Sequence, residues 1–433
     1  MNHTFCCGAA KQKITPSSEL LPNLRGLQDR RFGGILDDLY LRVLALKKED
    51  TQFLFITFEL DKVPHPQRFL ELLEKETGTP GENIFLAAVH THTAPITGSR
   101  PFEGPNNIAA KPKEVQNATH AYENILEKTL LEACLEALGK MVHARLGLDW
   151  AESYINVYRN QWYEYRDSKN VLHRKYALGA NPQIPVDRKV FVMKFEDYSG
   201  NPLAFLINYP VHCCVLHTCQ CFDGKLGISG DIAGRVSQFM ENEYDGSVAL
   251  WCSGAAGDIN PVMQNEVYYP DPATGEPVTE IMPGDNRSLL SIMANRHFDD
   301  VRRIAAGISC TSHDLSLAGC VEWSETPGMD GSYQVRLQMI RLGSVLLLGA
   351  SGELYSSYAR LLKSILPEQN LILVNHVASL CANSGYILDD EALLAPESDL
   401  PGVSHTNMKP GFFAASLIRH TRHMYEIVRQ KSL

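Results

Sequence analysis

Apolar and polar residues of this chain form two recurring patterns. Short apolar runs bounded by charged residues, glycine or proline are typical of strands, and apolar residues every three or four positions are typical of amphipathic helices. The predicted strands cover residues 9–14, 39–46, 51–60, 83–89, 144–150, 190–195, 203–209, 248–252, 334–342, 345–349 and 371–374. The predicted helices cover residues 65–76, 118–140, 229–243, 289–308, 355–365 and 412–430.

The order of these segments predicts an α/β fold. A helix between the strands at 51–60 and 83–89 favours parallel pairing through a right-handed crossover. Short polar turns at 47–50 and 198–201 join neighbouring strands as antiparallel hairpins. We therefore predict a mixed β-sheet core flanked by helices.

Three stretches rich in proline, glycine or acidic residues are predicted to be loops: 99–115, 167–185 and 268–285. We find no internal repeat and no low-complexity linker in the sequence. The prediction is therefore a single domain over residues 1–433.

Candidate metal ligands follow several of the predicted strands: His90 and His92 after 83–89, His212 after 203–209, Glu353 after 345–349 and Tyr386 beyond 371–374. In an extended chain, side chains at i and i+2 lie on the same face, which would place the two imidazoles of the His-x-His pair together. Functional groups of α/β proteins collect at the carboxyl ends of strands. Two or three imidazoles with a carboxylate and one open position are typical of catalytic zinc.

Each of these residues also has an ordinary structural interpretation. The histidines could be surface residues or hydrogen-bonded core residues, Glu353 a residue favoured at a helix N-terminus, and Tyr386 a packed tyrosine. The segment 212–223, with four cysteines and two histidines, allows a thiolate metal site, although it lacks a Cys-x2-Cys pair. A phosphate-binding loop at 254–257 is a weak hypothesis, because no Gly-Lys-Ser/Thr follows.

Composition narrows the class of protein. The formal net charge is −10 and we find no basic stripe, which argues against a nucleic-acid partner. No run of 18 apolar residues is present, so we expect no transmembrane helix. We see no secretory signal, and the odd number of cysteines, 11, includes adjacent pairs, which favours reduced thiols and a cytoplasmic protein.

Four blocks of the sequence resemble, in their order along the chain, the N-terminal catalytic domain of the neutral/alkaline (non-lysosomal) ceramidase family: His-Thr-His-Thr-Ala-Pro at 90–95, Asn-Tyr-Pro-Val-His at 208–212, Gly-Glu-Leu at 352–354 and Asn-Ser-Gly-Tyr at 383–386. The resemblance implies the fold of that domain. It also implies Zn²⁺ as cofactor, held by four ligands: His90, His212, Glu353 and Tyr386. His92 would assist the reaction nearby, and Arg159 resembles a family arginine that could bind a polar or acidic substrate group.

This chain departs from the family pattern at one residue with chemical importance. The block at 257–261 reads Gly-Asp-Ile-Asn-Pro, so Asn260 stands where the family has a serine proposed as nucleophile. An amide is a poor nucleophile, but Asn260 could donate a hydrogen bond to substrate or oxyanion. Asp231 and Asp258 could orient the ligands or act only as a helix cap and a turn residue.

We also see neither the immunoglobulin-like domain nor the secretion signal of the family, which makes ceramide itself a doubtful substrate. The sequence therefore predicts a zinc-dependent hydrolase that cleaves an amide (or ester) bond of a small or lipid-like substrate, such as an acyl amide, through a metal-activated water. The alternative is a catalytically silent relative that binds a small ligand at the metal pocket.

Overall fold

The structure is a computed structural model that describes residues 5–98, 106–217, 219–313, 315–380, 382–383 and 385–432. Its helices are α1 (Pro66–Thr77), α2 (Lys113–Gly139), α3 (Asp231–Glu243), α4 (Arg287–Gly307), α5 (Ser356–Ile365), α6 (Asp390–Leu394) and α7 (Phe413–Gln430). No helix of the described residues is long and apolar enough to cross a membrane.

The strands of the first half of the chain are β1 (Cys6–Lys13), β2 (Phe32–Ile35), β3 (Tyr40–Lys48), β4 (Thr51–Phe58), β5 (Ile84–Ala88), β6 (Val142–Glu152), β7 (Asn156–Tyr158), β8 (Asn160–Arg166), β9 (Leu172–Leu178), β10 (Lys189–Asp197) and β11 (Pro202–Tyr209). Those of the second half are β12 (Leu226–Ile228), β13 (Val248–Ser253), β14 (Ile259–Pro261), β15 (Glu266–Pro270), β16 (Pro277–Ile281), β17 (Leu317–Pro327), β18 (Ser332–Leu342), β19 (Val345–Ala350), β20 (Glu353–Leu354), β21 (Leu371–Val374) and β22 (Tyr386–Ile387).

Two mixed sheets form the centre of the fold. The larger has eight strands in the order β13-β11-β10-β6-β1-β3-β4-β5, and the smaller has the order β17-β18-β19-β21. Parallel pairs are β4 with β5, β11 with β13 and β19 with β21, and the other neighbours in these sheets are antiparallel. The predicted fold class, a mixed sheet core flanked by helices, is confirmed.

The sheets pack face to face, and helices cover their outer faces. The sequence of β4 is a nearly continuous apolar run because both faces of the strand are buried. Phe53 and Phe55 enter the core between the sheets, whereas Leu54 and Ile56 pack on the opposite face with residues of α1 and α2. Successive side chains of a strand point to opposite faces, so a strand covered on both faces is apolar throughout. Helices α3 and α4 cover the other half of the larger sheet, and α5 and α7 cover the smaller one.

The hairpins and the parallel crossover through α1 agree with the predictions, but the predicted loops do not. Residues 172–178 pair with β8, and the segment 268–285 contains most of the β15–β16 hairpin. Of the predicted loop 99–115, residues 99–105 lie outside the described residues, and α2 already begins at Lys113. Strands β9, β15 and β16 alternate irregularly and are mostly exposed or half-buried, so no apolar run marked them. Strand β17 was also missed, because only its first half is apolar and buried.

Candidate metal centre

The first candidate ligand, His90, lies at a sharp turn after β5. Its φ is +64°, and its backbone N–H donates to Leu60 O over 3.0 Å. The chain then passes beside the residues after β11, where His92 N–H donates to Cys213 O. The two imidazoles converge, with 3.1 Å between their Nε2 atoms. Their convergence therefore results from this turn and not from the extended i, i+2 geometry that the sequence predicted.

Two further segments bring His212 and Glu353 to the same point. His212 follows β11, and Glu353 begins β20, which pairs with β22. The Oε2 atom of Glu353 lies 3.3 Å from His212 Nε2 and 3.4 Å from His90 Nε2. All three side chains are buried.

The hydrogen bonds at Nδ1 of His90 and His212 show which ring nitrogen is free to bind a metal. His90 Nδ1 lies 3.0 Å from both the carbonyl oxygen and the Oδ1 of Asp61, and His212 Nδ1 lies 3.1 Å from Ile259 O. These oxygens only accept hydrogen bonds, so each Nδ1 carries the proton. This is the usual outer arrangement of metal-ligating histidines.

The spacing of the inner atoms fits a zinc ion. Ligand atoms at about 2.0–2.1 Å from a tetrahedral zinc are separated from one another by about 3.3 Å. The two nitrogen–carboxylate distances at Glu353 match this separation. Two sets of side chains could hold an ion here, His90 with His92 and His212, and His90 with Glu353 and His376. The residues present therefore fit a divalent metal.

Charge at the centre is distributed unevenly. Burial alone would lower the pKa of His90, but Glu353 and Asp61 outweigh burial and raise the pKa to about 9. Burial alone would raise the pKa of Glu353, but the charge of His90 opposes burial and the pKa is held well below the ordinary value. Burial, and then the charge of Arg159, lowers the pKa of His212 to about 4. The two carboxylates, Glu353 and Asp61, thus favour positive charge at this point of the centre.

Tyr386 lies at the edge of this group. Its backbone pairs with that of Glu353, and its ring centroid is 6.2 Å from that of His212. Burial raises the pKa of the phenol, although the guanidinium of Arg159, 5.3 Å above the ring, opposes the rise. Ligation through oxygen would need a metal to lower this pKa, as a metal does for bound water.

Arg159 and Asn260 form the adjoining wall. The guanidinium of Arg159 donates to Asn260 Oδ1 over 3.1 Å and to Gly257 O over 2.7 Å. Both side chains are buried. The Nε atom of Arg159 has no hydrogen-bond partner among the described residues, which leaves a donor in this wall.

The two aspartates hold the backbone around the centre. Asp231 accepts hydrogen bonds from the N–H groups of Ile232, Val215 and Leu216, and so fixes the segment after His212. Asp258 accepts from the N–H and the hydroxyl of Ser356 at the start of α5, three residues after Glu353. Burial raises the pKa of each carboxyl to about 6.

Three residues near the centre were not among the predicted site residues. They are Asp61 and two histidines, His217, whose ring centroid is 4.6 Å from that of His92, and His376, whose ring stacks on His90 at 3.8 Å. His376 follows β21 by two residues, so the strand-end rule that selected the other ligands could have found it. His217 could be found only in the cysteine-rich segment.

The alternative thiolate site receives no support. Neither set of side chains that could hold a metal within the described residues contains a cysteine. The thiols of Cys213 and Cys214 are buried, and burial, the largest influence, raises the pKa of both well above the ordinary value. Thiolate is therefore strongly disfavoured at both positions.

Fold and site together define a class, that of layered α/β proteins with a buried cluster of imidazoles and a carboxylate beyond the ends of central strands. The particular fold is neutral-ceramidase-like. The chain is similar to the crystal structure of neutral ceramidase from Pseudomonas aeruginosa, with a TM-score of 0.69 and 16% identity over 99% of this chain and 74% of that one. The chain is also similar to the structure of a ceramidase complexed with C2, with a TM-score of 0.70 and 15% identity over 99% of this chain and 75% of that one. Comparison of the sequence with protein-family models and with curated proteins finds no match.

Proposed function

We propose that this protein is a zinc-dependent hydrolase that cleaves an amide (or ester) bond in a single domain over residues 1–433. The observation that carries the proposal is the pair of nitrogen–carboxylate distances at Glu353, 3.3 and 3.4 Å, each with its histidine held by a hydrogen bond at Nδ1. The neutral-ceramidase-like fold supports the same reaction class.

Zinc would be held by His90, His212 and Glu353, with Tyr386 as fourth ligand. When bound, the ion lowers the pKa of a water and polarises a carbonyl oxygen. The His90 proton must leave first, because an imidazole ligates only through a free lone pair. The hydrogen bonds to Asp61 and Ile259 O keep both rings in the tautomer that offers Nε2.

His92 is the candidate for proton transfer. Burial, and then the charge of His217, lowers its pKa well below the ordinary value, so the ring is neutral at pH 7. Its buried Nδ1 finds no hydrogen-bond partner in the part of the chain that the structure describes. A neutral imidazole beside the centre can accept a proton from water and return it to a leaving amine.

Arg159 and Asn260 would bind the substrate. The carboxamide of Asn260 cannot act as the nucleophile, which leaves attack by water as the route. The guanidinium of Arg159 donates to the oxygen of the Asn260 carboxamide. The NH₂ group of Asn260 therefore remains to donate to a substrate or oxyanion oxygen. We propose a small or lipid-like acyl amide as substrate, with ceramide as one member of the test panel, and a cytoplasmic location.

The experiment measures zinc content and turnover together. Protein loaded with zinc is assayed against N-acyl amino acids, acyl amines and ceramide, beside His212→Ala and a control variant, His297→Ala. His297 is equally buried but bonds to Trp251 instead of the centre. We expect one zinc per chain and turnover in the wild type and the control, and neither in His212→Ala. Zinc binding without turnover of any substrate would instead establish the alternative, a silent ligand-binding relative, and wild-type protein without zinc would refute both.

A further inference from the structure

His376 stacks on His90, and a nitrogen of its ring lies within 4.8 Å of the ligand atoms of His90 and Glu353. The two rings are nearly parallel, with an interplanar angle of 14° and 3.8 Å between centroids. His376 is 4% exposed and also lines a cavity of about 840 Å³. Its imidazole thus separates the face of a candidate ligand from open space.

The backbone of His376 joins the two segments that carry the ligands. Its N–H donates to Gly352 O and its carbonyl accepts from Ala88 N–H, each over 3.2 Å. One residue therefore bonds to the end of β5, two residues before His90, and to the residue immediately before Glu353. The neighbouring Asn375 adds a hydrogen bond from Leu354 N–H to its Oδ1 over 3.2 Å.

This junction is maintained in a backbone conformation that is uncommon for residues other than glycine. The φ of His376 is +59°, in the left-handed region that favours glycine and asparagine. A non-glycine residue persists there only where the surrounding contacts determine it. The contacts that do so here are the bonds to the two ligand-bearing segments.

His376 belongs to one of the two sets of side chains close enough to hold an ion, but its stacking on His90 makes these two rings unsuitable as ligands of the same ion. The lone pairs of an imidazole lie in the plane of its ring, so two parallel rings direct them along parallel lines. One ion about 2 Å from both nitrogens cannot lie on both lines. The ring face, and not a ring nitrogen, is the part of His376 that contacts His90.

We propose that His376 is a positioning residue of the metal centre. The ring of His376 fixes the plane of the His90 imidazole, whereas Asp61 supplies only the hydrogen bond at Nδ1. The backbone of His376 sets the separation between His90 and Glu353. The inference rests on the proposed function, because it concerns the same metal.

Two substitutions separate the ring face from the ring nitrogens. His376→Phe keeps a flat ring, whereas His376→Asn removes the ring but suits the positive φ. Zinc affinity is measured by competition with a chelator, and the geometry of the centre by the absorption spectrum of the cobalt(II)-loaded protein. We expect His376→Phe to keep wild-type affinity within about threefold and His376→Asn to lose about 10- to 100-fold with an altered cobalt spectrum, as for other residues that orient metal-ligating histidines.

His297→Asn serves as the matched control, since it removes a fully buried histidine that lies elsewhere. It is expected to lower the melting temperature and leave the cobalt spectrum unchanged. The inference is overturned if His376→Asn binds zinc like the wild type, or if His376→Phe is as weak as His376→Asn, which would make a ring nitrogen the essential group. Wild-type protein that binds zinc but turns over no substrate would refute the hydrolase function and leave this inference standing.

Discussion

Glu353→Gln tests the electrostatics of the centre in the metal-free protein. The rise in the pKa of His90 from 6.5 to about 9 overcomes burial and comes from Glu353 first and Asp61 second. Such a rise corresponds to roughly 3 kcal/mol of folding stability. Glutamine keeps the shape of the side chain but removes its charge, so most of this stabilisation should disappear.

The sign of the pH dependence follows from the raised pKa. In the wild type, the contribution is fully present below pH 6.5 and is lost as the pH rises through 9. In Glu353→Gln, the His90 pKa falls, so the variant is less stable than the wild type at pH 6.5 and the difference shrinks by pH 9.5. The measurement is urea unfolding followed by tryptophan fluorescence at several pH values, with a chelator present throughout.

Glu241→Gln is the control for this experiment. Glu241 is also buried, but its partners are Arg42 at 2.6 Å and Lys11 at 2.7 Å, which remain charged over this range. Its substitution should cost the same stability at pH 6.5 and pH 9. A Glu353→Gln variant whose stability falls between these pH values as steeply as that of the wild type would refute the assignment of the raised pKa to Glu353.

Three other changes have defined outcomes. Arg159→Lys should lower kcat/KM about 100-fold and leave the zinc content, measured by metal analysis, unchanged. The reason is that lysine cannot bind Gly257 O and Asn260 while still donating to substrate. Unchanged kcat/KM would exclude Arg159 from the site. Gly257→Ala should lower both zinc affinity and melting temperature, since the added Cβ would lie 2.5 Å from Glu353 O, and wild-type values would contradict that contact. Arg42→Leu should cost about 3–5 kcal/mol in urea unfolding, because it removes the guanidinium that pairs with the buried carboxylate of Glu59 and leaves Glu241 with Lys11 alone. A loss below about 1 kcal/mol would show that the Glu59 carboxylate is solvated or protonated in the variant.

Local sequence was sufficient to predict the bounds of an element where burial in the core sets its pattern of apolar residues. Strand β4 and helix α1 were predicted to within about two residues, because their apolar positions are set by burial in the layered core. Strands β9, β15 and β16 were missed, since each pairs with a neighbouring strand and only Tyr176 and Ala177 of β9 are buried among their residues. Hydrogen-bond pairing leaves little trace in the order of apolar residues.

For the candidate site, the sequence by itself determined which side chains follow the central strands: His90, His92, His212 and Glu353 are placed there by the length and polarity of each run. Only the tertiary structure decided how they meet. The positive φ of His90, the pairing of β20 with β22 and the stacked ring of His376 depend on segments distant in the chain. The physical reason is that an apolar run specifies where a strand ends, whereas the distance between two strand ends depends on the packing of the layers that carry them.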